Sequence, residues 1–122
     1  MDWYPIILKA KNVFAIQSSA QCFVDLIKND IPHKMYNYLV EFVGTVFFIY
    51  VILATGNPLA IGAALALVIL LARNSSGGHV NPAVSLAMAA SGALPSTELF
   101  PYIIAQFMGA LVAHQVHLRF QL

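Results

Sequence analysis

Few residues in this chain can do chemistry, and most of them fall together. Ser75, Ser76, His79 and Asn81 lie within one short stretch, while Glu41 and Gln106 stand isolated in apolar surroundings on either side of it. A serine near a histidine is two thirds of a nucleophile and base arrangement, but no carboxylate adjoins His79 in sequence to orient its ring. There is no carboxylate pair, and Gly77-Gly78 is neither a phosphate loop nor a dinucleotide fingerprint. The four histidines, at 33, 79, 114 and 117, form no ligand set beyond the weak spacing of His114 and His117. No enzyme, metal or cofactor is expected. What remains is hydrogen bonding, centred on Ser76-Gly77-Gly78-His79-Val80-Asn81-Pro82-Ala83-Val84.

That stretch starts a helix in the middle of apolar sequence. Asn81 is a strong N-cap, and Pro82 suits the first helical position, where its missing N–H has no partner to lose. The run from Ala83 to Ala90 has no breaker, and Gly92 offers a left-handed C-cap. A helix over about 82–91 is roughly 15 Å long, half of a ~30 Å hydrocarbon core. Gly77 and Gly78 free the backbone just ahead of it. Irregular backbone at membrane depth survives only where it is buried in protein or lines water.

The rest of the chain explains why membrane depth is the relevant scale. Of its 122 residues, 60% are hydrophobic and 9% charged, against about 25% charged in soluble domains. Residues 38–54 carry one charge, Glu41, and meet the lower length for a spanning helix. Thr55-Gly56-Asn57-Pro58 combines a stop with a new N-cap, so a tight turn leads into 59–72, a short span ending at Arg73, which can snorkel. Pro95, Ser96 and Thr97 separate the half-helix from a third span at 99–116. There Ala105, Gly109 and Ala113 recur every four residues, a stripe for close helix packing. His114, His117 and Arg119 mark the far interface. The fold expected is an all-α membrane protein with three transmembrane helices and one re-entrant half-helix over residues 36–122.

Residues 1–35 are too charged to span and carry no signal-peptide pattern, since Asp2, Lys9 and Lys11 interrupt any apolar core. Phe23, Leu26 and Ile27 at helical spacing fit a short amphipathic helix resting on the membrane surface or on a partner, and equally a tail helix that packs on the body. The single Cys22 forms no internal disulfide. A net charge of +1 offers no basic face for nucleic acid. Lys9, Lys11, Lys28 and Lys34 precede the first span and Arg73 follows the second, so the N-terminus is expected in the cytoplasm and the C-terminus on the opposite side.

Three blocks in order, Glu41-Phe42-x-Gly44-Thr45, then Ser76-Gly77-Gly78-His79-x-Asn81-Pro82-Ala83-Val84, then Tyr102-x-x-Ala105-Gln106-x-x-Gly109-Ala110, resemble the first half of the aquaporin (major intrinsic protein) family. The resemblance runs from about Asn37 to His114. It implies that two half-helices meet end to end at the membrane centre, with Asn81 on the first. The Asn81 carbonyl oxygen would be held by the helix's own N–H groups, leaving its NH₂ to face a file of water. Pro82 and Ala83 complete that motif, and the carbonyls of Gly77, Gly78, His79 and Val80 would be the acceptor ladder. The positive helix N-terminus would repel cations. Glu41 would accept backbone N–H groups ahead of Asn81, Gln106 would hydrogen-bond inside the bundle, and Ile61 would stand where water-selective members carry a filter phenylalanine.

A complete member has six spans and a second such motif, whereas this sequence has three and one. Half a pore leaves polar backbone toward lipid, so closure is expected from a second polypeptide, an antiparallel homodimer or a larger assembly. Two functions follow. One is a channel subunit passing water or a small neutral solute such as glycerol, its pore completed by another membrane chain or a homo-oligomer. The other is a non-conducting structural membrane subunit derived from an aquaporin half.

Overall fold

The computed structural model describes residues 32–121 together with Ser18 and Cys22. The amphipathic segment expected around Phe23 to Lys28 lies outside the described residues. The chain divides into two units, residues 1–33 and 34–122. Four helices occupy the described region: α1 His33–Thr55, α2 Pro58–Ala72, α3 Pro82–Ala90 and α4 Ser96–Arg119. The fold is all-α.

Two of the helices extend beyond the ranges that hydropathy predicts. Helix α1 begins at His33, directly after Pro32, because the polar residues His33, Lys34 and Asn37 form a helical turn that an apolar window cannot detect. Helix α4 begins at Ser96, so the Pro95-Ser96-Thr97 run opens this helix as well as closing what precedes it. Pro95 holds the N-cap position and Glu98 lies in the first turn, where a negative charge suits the helix dipole. At 23 and 24 residues, α1 and α4 are about 35 Å long, and both are apolar enough to cross a membrane. Helix α2, with 15 residues, reaches about 22 Å.

Local chemistry sets the ends. Asn57 Oδ1 accepts from the N–H groups of Leu59 and Ala60 at 2.9 and 3.3 Å, with Pro58 behind it, and this starts α2. Asn81 Oδ1 accepts from Ala83 N–H at 2.8 Å and starts α3. The end of α3 is a Schellman closure: Gly92, at φ +80°, donates to Ala89 O, and Ala93 donates to Met88 O.

Contacts between α1 and α4 fix their relative direction. Lys34 meets Glu98, Tyr38 meets Tyr102, Glu41 meets Gln106, and Thr45 lies against Gly109. Both numbers rise together at an offset of 64 or 65, so the two helices run parallel. They come closest at Gly109, where an added Cβ would sit 2.7 Å from Phe42 O and 2.9 Å from Thr45 Cβ. Gly109 and Ala113, both buried, are therefore the part of the small-residue stripe that works as a seam.

Helix α2 returns against α1, where Val68 meets Gly44. Its buried residues, Ala64, Val68 and Ala72, repeat every four, and Val68 lies level with Gly44 and Val80. From its end the chain turns inward and reaches Glu41, nine residues into α1 and about 12 Å from its start. Helix α3 then leads back to Glu98, beside Lys34 at the end where α1 began. The segment enters and leaves by the same end, as a re-entrant half-helix does.

Candidate functional site

Three polar side chains, Glu41, Ser85 and Gln106, are buried behind the 76–81 segment. Glu41 is fully buried; its Oε1 accepts from His79 N–H at 2.9 Å, and its Oε2 accepts from Val80 N–H at 2.7 Å. Gln106 Nε2 donates to Glu41 Oε2 at 3.0 Å and to Ser85 Oγ at 2.8 Å. Ser85, also fully buried, sits 3.1 Å from His79 Nδ1. With Gln106 as donor to both, the Ser85 hydroxyl still has a hydrogen and a second lone pair for its bond with His79 Nδ1, whose direction is set by the ring tautomer. A carboxylate, an amide, a hydroxyl and an imidazole are thus hydrogen-bonded in series, with Gln106 Oε1 the buried atom of the four that has no partner among the described residues. A buried carboxylate would otherwise be severely unfavourable.

This cluster determines the backbone in front of it. Two successive N–H groups turned toward one carboxylate force Val80 to φ +42°, a conformation in which β-branched residues are outliers costing about 1–3 kcal/mol. Val80 is held there by burial: a Cβ on Gly44 would lie 3.0 Å from its Cγ1, so α1 has a glycine where the valine side chain must fit. Gly77 and Gly78 take φ +90° and +66°. Gly78 also lies so close to α2 that a Cβ would reach 3.1 Å from Ile69 Cα. Earlier in the segment, Gly77 N–H donates to Ala72 O and Gly78 N–H to Ser76 Oγ.

With their N–H groups spoken for, the carbonyls of Gly77, Gly78, His79 and Val80 accept no hydrogen bond from any described residue. Asn81 follows them and is exposed; its Oδ1 is taken by Ala83, and its Nδ2 has no partner among the described residues. Pro82 is half-buried and Ala83 exposed in the first turn of α3. The arrangement therefore offers four acceptors, then a two-hydrogen donor, then the positive end of a helix. It has no nucleophile beside a base with an orienting acid, and among the described residues no group of histidine, cysteine or acidic side chains could hold a metal ion.

Residues 28–121 match the profile of the family described as Major intrinsic protein. The chain belongs to this family. Among its relatives are Glycerol uptake facilitator protein-like 6 of Lactiplantibacillus plantarum, 41% identical over 88 residues, which are 65% of this chain and 41% of that protein. Aquaporin-8 of Mus musculus is 41% identical over 85 residues, 61% of this chain and 33% of that protein. Aquaporin Z of Rhodopseudomonas palustris is 35% identical over 91 residues, covering 62% and 38%. The chain spans well under half the length of these curated relatives. No solved structure matches it.

The structure brings Glu41, Gln106, His79 and Val80 into one cluster and leaves Asn81, Pro82 and Ala83 in front of it. Ile61 is not part of this group. It is half-buried in the first turn of α2, seven residues and about 10 Å from Val68, the residue level with Val80. Two residues that hold the segment have no part in the sequence reading of the site: Ser85, and Tyr102, whose hydroxyl donates to the Ser76 carbonyl oxygen. Ser85 had a signal, being a lone hydroxyl at i+4 from Asn81 in an otherwise apolar half-helix. Tyr102 stands in the third motif block, but nothing in its spacing points to the Ser76 carbonyl.

Proposed function

We propose that this chain is an aquaporin-like channel subunit through which water or a small neutral solute passes passively, its pore completed by a second membrane chain or another copy. The observation that carries the reading is the row of four carbonyls, Gly77 to Val80, with no partner among the described residues, ending at the exposed amide of Asn81. A solute that exchanges bulk water for this row donates a hydrogen bond to each carbonyl and accepts one from the Asn81 amide, without bringing a charge. Hydronium and metal cations meet the positive end of α3 instead. The names of the relatives, a glycerol uptake facilitator and several aquaporins, agree with a small neutral cargo.

In this reading α1, α2 and α4 all cross the bilayer, and α2 spans by virtue of its tight Asn57 turn and the snorkelling Arg73. The N-terminus lies in the cytoplasm, with Lys34 and Arg73 at the same end of the bundle, and the C-terminus lies on the opposite side. Gly77, Gly78, His79, Val80, Asn81, Pro82 and Ala83 form the lining. Ile61 contributes to a constriction nearer the other mouth, and Glu41 and Gln106 act as supports. The carbonyl row cannot face lipid, which is why a partner is needed.

The test is osmotic shrinkage of proteoliposomes followed by stopped-flow light scattering, with Asn81→Asp inserted to the same level. Shrinkage faster than in empty liposomes and altered by the substitution is expected if copies close the pore between themselves. Where the chain alone does not conduct, cross-linking in its native membrane identifies the partner, and the assembly is assayed in the same way. An assembly no more permeable than lipid would leave the second reading, a structural subunit that inserts and assembles without conducting.

A further inference from the structure

Tyr102 lies outside the Glu41 cluster, yet three contacts converge on it. Its hydroxyl donates to the Ser76 carbonyl oxygen at 2.9 Å. Its ring packs tilted against His79 at 5.3 Å between centroids and meets Tyr38 edge-on at 5.9 Å. The side chain is almost wholly buried, and its hydroxyl is satisfied only by that carbonyl.

Tyr38 is tied in turn. Its hydroxyl donates to Glu98 Oε2 at 2.6 Å, and Lys34 Nζ reaches Glu98 Oε1 at 2.8 Å. Glu98 is 9% exposed and Lys34 73%, so the series runs from solvent at one end of the bundle to the entrance of the re-entrant segment. Of the five consecutive carbonyls from Ser76 to Val80, only that of Ser76 has a partner among the described residues.

We propose that Tyr102 is a positioning residue that sets where the row of free carbonyls begins. By holding Ser76 O, it takes that acceptor out of the solute path, and by bracing the His79 ring it keeps the next carbonyls turned forward. Tyr38, Glu98 and Lys34 hold Tyr102 in register with α1. The functional meaning rests on the reading of residues 77–81 as a pore lining, whereas the geometry can be tested without conduction.

The chain contains two Ser–Gly peptide units, Ser76–Gly77 and Ser91–Gly92. Labelling with carbonyl-¹³C serine and ¹⁵N glycine therefore gives two correlated signals from the intact chain in lipid nanodiscs, one at the site and one as an internal reference. In Tyr102→Phe, loss of the hydrogen bond should move the Ser76 carbonyl signal upfield and leave the Ser91 signal in place. Glu98→Gln, which touches neither Ser76 nor His79, should move the same signal in the same direction by less. A stationary Ser76 signal in Tyr102→Phe overturns the proposal. So does movement of both signals, because the hydroxyl would then support the bundle at large. A stationary signal in Glu98→Gln overturns the link to Lys34. If the expected shifts appear in a chain that conducts nothing in any assembly, the positioning stands and the channel reading fails.

Discussion

The 76–81 segment has two sides that differ in almost every respect. Behind it, Glu41, Gln106 and Ser85 are buried and bonded in series with the half-buried His79, and the N–H groups of His79 and Val80 end on one carboxylate. In front, four carbonyls and the Asn81 amide nitrogen have no partner among the described residues. A peptide group has two ends, and from Gly77 to Val80 every N–H is bonded while no carbonyl has a partner among the described residues. The rigidity of one side is what keeps the other side open. If the rear were apolar, the same backbone would have to satisfy its own N–H groups by folding up, and the free carbonyls would be lost. Breaking the rear should therefore collapse both sides, whereas changing the front should leave the rear intact.

The largest effect is expected from Glu41→Ala. It strands the N–H groups of His79 and Val80 and one donor of Gln106, and each stranded donor costs about 1–3 kcal/mol. The sum is at least about 3 kcal/mol. Val80 also loses the bond that holds it at φ +42°. Thermal unfolding in detergent should show the loss, and amide exchange should accelerate first at His79 and Val80.

Gly109→Ala comes next. Its Cβ would meet Phe42 O, a backbone atom that moves only if α1 moves, so the α1 and α4 seam must part. The expected loss is about 2 kcal/mol. Because Gln106 follows α4 outward, the Glu41 cluster loosens with the seam, and exchange at His79 should rise although the substitution lies well away from it. Ser85→Ala is smaller, at about 1 kcal/mol, for a buried hydroxyl that serves Gln106 and His79 but is not the sole partner of the Gln106 amide. Its signature is the His79 ring, whose Nδ1 loses its partner; a shift in the imidazole ¹⁵N spectrum checks it.

How much of this contrast is legible in the sequence depends on range. The front is local: Asn81, Pro82 and the two glycines declare a capped helix behind an irregular segment, and the cap bond to Ala83 follows from two residues' separation. The bounds of α3 follow the same way, from Asn81 at one end and Gly92 at the other. The rear is non-local, since Glu41 stands 38 residues from His79 and Gln106 stands 21 from Ser85. A glutamate alone in an apolar run announces that it needs partners, but not which ones; the resemblance to a family supplies that, and spacing does not. Helix starts fail for a physical reason too. Hydropathy sees a helix only where it is apolar, so the polar first turns at His33 and Ser96 are invisible to it, although Pro32 and Pro95 stand just ahead of them. The Lys34, Tyr38, Glu98 and Tyr102 group is hidden because it depends on α1 and α4 running parallel, which no local pattern encodes.

The smallest effect on stability, and the sharpest test of the contrast, belongs to Asn81→Asp. Aspartate caps a helix about as well as asparagine, so the bond from Ala83 N–H survives and the cap changes by less than about 0.5 kcal/mol. The carboxylate also lies at the positive end of α3, which favours it by about 0.3–1 kcal/mol. What decides the outcome is the medium in front. Facing lipid, a charge at this depth costs about 2.5–3.5 kcal/mol on insertion scales, so insertion yield or unfolding temperature would drop. Facing a water-filled path, that cost largely disappears, and the variant should insert and unfold like the parent. In that case the donor at the end of the carbonyl row has become an anion, the barrier to cations falls, and cation conductance should appear in the assembled channel. A variant with parental stability and no change in any permeability would mean that the front of the segment, though open in this chain, lines no path.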